Sequence, residues 1–203
     1  MDVAAWNARY AAADLVWSAT PNRYVEARLA DLPAGRAVDL GAGEGRNALW
    51  LAARGWKVTA VDFAEEGLAK GRALAEHHAV SVAWVCADVL AWRPEEPVDL
   101  TLVAYLQFAL PERERLVRNA AAMTAPGGTL FWISHDRHNL EHGVGGPQDP
   151  ALLSDADELA SLLRSQPGAW QVGEAGRVER RVEQSDGTWA TAYDSLLVAR
   201  RDG

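Results

Sequence analysis

The sequence contains one cysteine, Cys86. An internal disulfide is therefore impossible, and so is a zinc site built on several thiolates. Long apolar runs are also missing: none approaches the ~18 residues that a membrane helix requires, so no membrane partner is expected. Asp2, Arg9 and Asp14 interrupt the N-terminal stretch, which has no basic segment leading into an apolar one. No secretory signal is expected, and a cytoplasmic protein is. Positive charge is scarce. Lys and Arg number 20 against 28 Asp and Glu, a formal net charge of −8. Non-specific nucleic-acid binding depends on Lys and Arg neutralising phosphates, so no nucleic-acid partner is expected. Internal repeats and low-complexity tracts are absent as well.

What is present can bury a core. The chain has 203 residues, 49% of them hydrophobic and 24% charged, which fits one domain over 1–203: a helical cap at 1–34 on a core at 35–203. Nine tryptophans are many for this length. Buried Trp supplies large apolar area, so packing is their ordinary role, with some left to line a site.

The cap reads as two helices. One covers 2–14; the second starts at Thr20-Pro21, a cap followed by proline at the first helical position. From Arg36 the pattern changes to strands alternating with helices. Strands are predicted at 37–41, 57–62, 82–88, 98–104 and 129–134. Helices are predicted at 45–54, 64–77, 111–124 and 154–165, the last opened by a capping box of Ser154 and Asp157. Two closing strands, 172–182 and 188–200, meet through Ser185-Asp-Gly187, a hairpin signal. The fold class is α/β: a Rossmann-like, doubly wound, mostly parallel seven-stranded sheet with a C-terminal antiparallel hairpin. In such sheets ligands bind at the carboxyl ends of the strands, so chemistry is sought just after the first five.

The first of these ends is Val38-Asp39-Leu40-Gly41-Ala42-Gly43-Glu44-Gly45-Arg46-Asn47. Glycine permits unusual dihedrals and close approach of a ligand to the backbone. A bare Gly-x-Gly is also an ordinary tight turn. Three details sharpen it. Arg46 stands where a dinucleotide fold wants its third small residue, which disfavours a pyrophosphate. Asp39, two residues before Gly41, would repel a pyrophosphate but suits a cationic amine or sulfonium. Asp62 ends the second strand, 21 residues after Gly41, where an acid accepts from ribose hydroxyls. Asp88 ends the third strand, placed for an adenine amino group. Each Asp alone would read as a solvated strand-end residue or a helix cap. Acids at three successive strand ends read as a site.

These motifs resemble the class I S-adenosylmethionine-dependent methyltransferases over about residues 35–135. Val-Asp-Leu-Gly-Ala-Gly-Glu-Gly (38–45) is similar to the family's first motif, and Val-Thr-Ala-Val-Asp-Phe (58–63) to its ribose-binding motif. Ala87-Asp88-Val89 resembles the adenine-binding acid and its neighbours, 97–103 the fourth strand, and Pro126-Gly-Gly-Thr-Leu the turn before the fifth. Gly-Arg-Asn (45–47) with Trp6-Asn-Ala-Arg-Tyr10 is most similar to the small branch with tellurite-resistance and thiopurine-type enzymes. The resemblance implies S-adenosyl-L-methionine as cofactor. It implies that Gly41, Ala42 and Gly43 pass the methionine and ribose portion and that Asp39 lies near the amino group. Asp62 would bind ribose, Phe63 pack on adenine, and Ala87, Asp88 and Val89 surround the adenine amine. Ala104 and Tyr105 would face the methionine tail and the reacting centre.

The stretch after the fourth strand is Ala104-Tyr-Leu-Gln-Phe108, without the Asn/Asp-Pro-Pro-aromatic pattern of base N-methylation. Cys86 lies inside the third strand and reads as a buried packing thiol, not a cytosine-C5 nucleophile. Methyl transfer from a sulfonium asks the protein for positioning and, with hydroxyl or amine acceptors, proton removal. His135 follows the fifth strand, and histidine is the residue type whose ordinary charge change lies nearest neutrality, so it is a candidate base, with Tyr105 as a second catalytic candidate. A structural or substrate-shaping His135 is the competing reading. His135, Asp136 and His138 lack strong ligand spacing, and no metal is expected. The 136–153 loop is long enough for a lid or a disordered segment. Trp17, Asn22 and Arg23 can close the opposite side or simply pack. The expected activity is methyl transfer to a small-molecule acceptor by a monomer or homodimer. The alternatives are an NAD(P)-dependent oxidoreductase and a non-catalytic cofactor-binding regulator.

Overall fold

The structure is a computed structural model that describes residues 2–203. Its strands are β1 (Arg36–Leu40), β2 (Lys57–Asp62), β3 (Val82–Cys86), β4 (Val98–Ala104), β5 (Thr124–His135), β6 (Trp170–Glu183) and β7 (Trp189–Arg201). They form one seven-stranded sheet in the order β3-β2-β1-β4-β5-β7-β6. β1, β2 and β3 pair in parallel, whereas β7 pairs antiparallel with both β5 and β6. The expected α/β class, with its closing hairpin, is what forms. The backbone divides into two compact units, one ending at Leu102 and the other covering Val103–Gly203, so the boundary falls inside β4.

In the first unit α1 (Val3–Ala11) and α2 (Arg23–Leu29) precede β1. Parallel neighbours need crossovers, and α3 (Arg46–Ala53) and α4 (Glu65–His77) supply them. Val38, Leu40, Ala60, Val61, Leu51 and Leu68 are fully buried. Each buried aliphatic of Val or Leu size contributes about 1.5–3 kcal/mol relative to exposure. α2 does not start at Pro21. Asn22 is its cap, because Oδ1 accepts from Tyr24 N and Val25 N (2.8 and 3.3 Å) and satisfies amides the helix leaves free. Cys86 is exposed, contrary to the packing expectation, because β3 lies at the edge of the sheet.

In the second unit α5 (Leu110–Met123) leads directly into β5, with Thr124 already extended at φ −77°, ψ 125°. The strand therefore begins five residues before Thr129 and contains the Pro126-Gly-Gly stretch. Leu130, Phe131, Trp132 and Ile133 of β5 pack in a core with Leu196 and Leu197 of β7. α7 (Ala156–Arg164) adds Leu159 and Leu163. Its cap is Asp155, which accepts from Glu158 N at 2.8 Å. Ser154 is unavailable for capping: it is buried, with Oγ 3.4 Å from Ser134 Oγ. The 136–153 segment is built rather than open, carrying α6 (Asn139–His142) and a 3-10 turn at Pro150–Leu152. No described helix is long and apolar enough to cross a membrane.

Candidate active site

The glycine loop hooks onto β2. Gly41 N and Ala42 N both donate to Val61 O, at 2.8 and 3.1 Å. Gly43 has φ +56° and Gly45 φ +79°, conformations that strain any residue with a Cβ. Space forbids a Cβ as well. At Gly43 it would lie 2.5 Å from Tyr10 Oη, and at Gly45 2.3 Å from the Trp84 ring. The third glycine thus serves indole packing. Arg46 turns away to donate to Ser18 Oγ at 3.2 Å.

Asp62 is half-buried beside this loop. Its Oδ2 accepts from Gly43 N and its Oδ1 from Ala64 N, both at 2.8 Å. Each carboxylate oxygen keeps a further lone pair for a hydroxyl donor. Burial raises the Asp62 pKa, and the amides of Ala64, Gly43 and Phe63 partly oppose the rise. Ala87 N donates to Asp62 O at 3.0 Å, tying the end of β3 to the end of β2. Asp88 is exposed; its Oδ1 accepts from Leu90 N at 2.9 Å, while Val89 is buried beneath. Phe63 is half-buried and its carbonyl faces Cys86 Sγ at 3.5 Å.

Asp39 is fully buried, and its Oδ2 has no hydrogen-bond partner. Burial first, then the charge of Asp62, push its pKa up to about 7 against the opposing pull of Arg46 and the Ala48 amide. A buried anionic oxygen without a donor is costly unless a cation or a proton meets it. The chemistry of this pair of acids therefore fits a ligand with an ammonium group and neighbouring hydroxyls.

Sequence reasoning missed how the segment before α2 is held. Glu44 is 3% exposed and accepts from Val16 N and Trp17 N at 3.0–3.1 Å. Lys70 Nζ lies 3.4 Å from Glu44 Oε1 and donates to the Tyr10 and Ala13 carbonyls. Trp17 Nε1 donates to Tyr10 Oη at 3.3 Å, and burial pushes the Tyr10 pKa up to about 12. Asn22 N donates to Asn47 Oδ1 at 2.9 Å. Asn22 thus caps and pins, whereas Arg23 is exposed over the Tyr24 ring.

The second unit gathers Tyr105 and His135, with ring centroids 4.8 Å apart. Tyr105 follows Ala104 with φ +56°, rare for a residue with a side chain, and its N donates to Ile133 O at 2.8 Å. Tyr105 Oη donates to Asp194 Oδ2 at 2.7 Å, and Arg180 Nε donates to the same oxygen at 3.0 Å. His135 Nδ1 lies 3.4 Å from Asp194 Oδ1, an ion-pair separation whose alignment falls short of a hydrogen bond. Burial and the Asp194 charge raise the Tyr105 pKa. Asp136, the next residue along the chain, does not orient His135. Successive strand residues face opposite sides, and Asp136 instead accepts from Arg177 Nε (3.0 Å) and Ser195 Oγ (2.6 Å). Asp194 and Arg180 were missed. The one signal was a charge inside the otherwise apolar run of β7. Among the described residues, no group of three or more His, Cys, Asp or Glu is arranged to hold a metal ion.

Residues 37–128 match the family model described as a methyltransferase domain. The trans-aconitate 2-methyltransferase of Azoarcus sp. (strain BH72) is 29% identical over 172 residues, 81% of this chain and 63% of that protein. The chain spans half to two thirds of the length of the curated relatives it matches first. N-methyltransferase NodS from Bradyrhizobium japonicum WM9, solved with S-adenosyl-l-homocysteine, aligns at TM-score 0.73 over 99% of this chain and 98% of that one, with 18% identity. TehB from Haemophilus influenzae aligns at TM-score 0.73 over 90% of this chain and 63% of that one, also with 18% identity. These two likenesses concern the fold.

Proposed function

From its membership of the class I S-adenosylmethionine-dependent methyltransferase family, we propose that the chain methylates a small-molecule acceptor with S-adenosyl-L-methionine as cofactor. The observation that carries this reading is the unpartnered, buried Asp39 Oδ2 beneath a glycine loop whose next acid, Asp62, keeps lone pairs free. When bound, the cofactor supplies an electrophilic methyl group on a sulfonium with a good leaving group. Asp39 accepts from the ammonium group and Asp62 from the ribose hydroxyls. Gly41, Ala42 and Gly43 permit close approach of the backbone. Phe63 stacks on the adenine, flanked by Ala87 and Val89, and Asp88 accepts from its amino group. His135 is the base toward the acceptor, with Tyr105 against its ring. The trans-aconitate enzyme supports an acceptor of metabolite size. A cytoplasmic monomer or homodimer without a nucleic-acid partner completes the reading.

Calorimetry with S-adenosylhomocysteine tests it. Wild type binds, and Asp62→Ala binds about ten- to a hundred-fold more weakly, the equivalent of ~1.5–3 kcal/mol for lost hydrogen bonds to a charged group. Equal affinity of the variant removes Asp62 from the ribose. Binding of nicotinamide cofactors alone points to an oxidoreductase. Binding without methyl transfer across a broad acceptor panel points to a regulatory role.

A further inference from the structure

Asp194 has no surface exposure, yet it is an acid in the middle of a strand, paired in register with His135. Its two oxygens have different surroundings. Oδ2 accepts from Tyr105 Oη and Arg180 Nε, at 2.7 and 3.0 Å. Oδ1 faces His135 Nδ1 at 3.4 Å, with Arg180 Nη2 at 3.5 Å. Burial alone would raise the Asp194 pKa, but contacts from His135, Arg180 and Tyr105 outweigh it and hold the carboxyl below its ordinary value.

The imidazole has little room to turn. A Cβ on Gly146 would lie 2.7 Å from His135 Cγ, so the Gly145-Gly146 backbone closes that edge of the ring. Tyr105 covers another side. Gln107, with its amide oriented to satisfy both contacts, accepts from His135 N and donates to Leu152 O, each at 3.0 Å. Nδ1 is buried, and the imidazole is 19% exposed. No described residue hydrogen-bonds Nε2. A neutral imidazole carries one N–H and one lone pair. A lone pair at Nδ1 would face an ionised carboxylate, whereas an N–H there is stabilised by it.

We propose that Asp194 is a positioning residue that fixes His135 as its Nδ1–H tautomer and so makes Nε2 the proton-accepting atom for a hydroxyl or amine acceptor. The inference rests on the methyltransferase reading for its context. The proton of the acceptor O–H or N–H passes to Nε2, and the bonding pair stays on the acceptor atom as its nucleophilic pair. The resulting imidazolium holds its charge against Asp194, and no further reactant is consumed. Asp194 accepts no proton itself.

Nitrogen-15 NMR of histidine-labelled full-length protein at mildly alkaline pH reads the tautomer directly. The expected wild-type result is Nδ1–H with an unprotonated Nε2. Asp194→Asn should reverse it. Tyr105 Oη and Arg180 Nε are both donors, so they draw the asparagine carbonyl to the Oδ2 position. The amide NH2 is then left at Oδ1, donating to Nδ1 and moving the ring proton to Nε2. Asp194→Glu, which keeps the carboxylate, should retain Nδ1–H, and so should Tyr105→Phe. A wild-type Nε2–H tautomer, or one unmoved in folded Asp194→Asn, overturns the inference. Should Asp194→Asn fail to fold, the wild-type and Tyr105→Phe spectra still decide it. S-adenosylhomocysteine affinity, measured on wild type and the two Asp194 variants, is expected to be unchanged. Loss of wild-type affinity would overturn the functional reading and leave the tautomer result standing.

Discussion

In the first unit, Asp62 and Asp88 are held by backbone amides: Gly43 N and Ala64 N for one, Leu90 N for the other. In the second, Asp194 is held by the side chains of Tyr105 and Arg180, and Asp136 by those of Arg177 and Ser195 together with the His138 amide at 2.8 Å. The difference is one of chain distance as well as chemistry. Leu90 and Ala64 lie two residues beyond the acids they hold, whereas Tyr105 lies 89 residues from Asp194. An acid fixed by the amide two residues on is part of a turn, and turns impose residue types locally. An acid fixed by side chains depends on strand register, which no short stretch of sequence encodes. Energetically the contrast also runs between charge that is exposed or half-buried and charge that is fully buried.

That contrast is broken most directly at Arg113. It is 4% exposed, pairs with Glu158, and donates to the carbonyls of Phe108, Ala151 and Leu153 at 2.9–3.1 Å. Arg113→Met leaves those acceptors without their donor and should cost about 3–5 kcal/mol, since each buried polar group left unsatisfied costs about 1–3 kcal/mol. In the first unit, Arg72 pairs with Glu65 at 2.7 Å on the surface. Arg72→Met should cost ~0–1 kcal/mol because solvent screens the pair. Urea denaturation of both variants makes the comparison. Equal losses would mean that burial does not separate the two units.

Asp39, like Glu44, is an acid of the first unit that is buried like those of the second, and pH exposes it. Its native pKa is pushed up to about 7, against 3.8 ordinarily. Between those values the native state holds more protons than the unfolded state. Stability therefore falls as pH rises through that window and levels off above it, with a slope of at most ~1.4 kcal/mol per pH unit for one group. Asp39→Asn should flatten this slope and gain stability relative to wild type on the alkaline side. It should also weaken S-adenosylhomocysteine, whose ammonium loses its anion. Denaturation midpoints on the two sides of the window check the sign. A variant that loses stability equally at both would mean that Asp39 is not protonated on folding.

The parallel sheet, the glycine loop and the acids near strand ends were legible because each leaves a local signature: apolar runs, small residues and an acid within two residues of the end of a strand, although β3 stops at Cys86, short of Asp88. The Thr20-Pro21 and Ser154 starts were misread for one reason. Several potential caps stood side by side, and tertiary contacts chose among them, with Asn22 drawn to Asn47 and Ser154 buried against Ser134. Cys86 looked like core because strand position alone does not reveal a sheet edge. His135 and Tyr105 were legible as residues following strands. The acid between them was not, because Asp194 arrives from β7 by antiparallel register. Arg180 of β6 arrives the same way, one strand further out.

The most local effect is expected at Glu44, which tests whether backbone-held acids also fasten chain segments distant in sequence. Glu44 sits between two loop glycines and reaches 28 residues back to the Val16 amide. Both of its oxygens are used, Oε1 by Val16 N and Oε2 by Val16 N and Trp17 N. Lys70 supplies the countercharge and holds the Tyr10 and Ala13 carbonyls. Glu44→Gln keeps the size of the side chain but loses the charge and one acceptor. The loss should be about 1.5–3 kcal/mol, the scale of a hydrogen bond to a charged group. It should appear as local opening, because α1 buries only Tyr10. Amide hydrogen exchange is expected to speed up at Val16 and Trp17, with the core strands β1 and β2 unchanged. Lys70→Met should produce the same local pattern by removing the countercharge and the two carbonyl contacts. Unchanged exchange at Val16 and Trp17 in both variants would show that aromatic packing of Trp6, Tyr10 and Trp17 fastens the segment, and that Glu44 is incidental to it. Faster exchange in β1 as well would mean that the segment and the sheet open together.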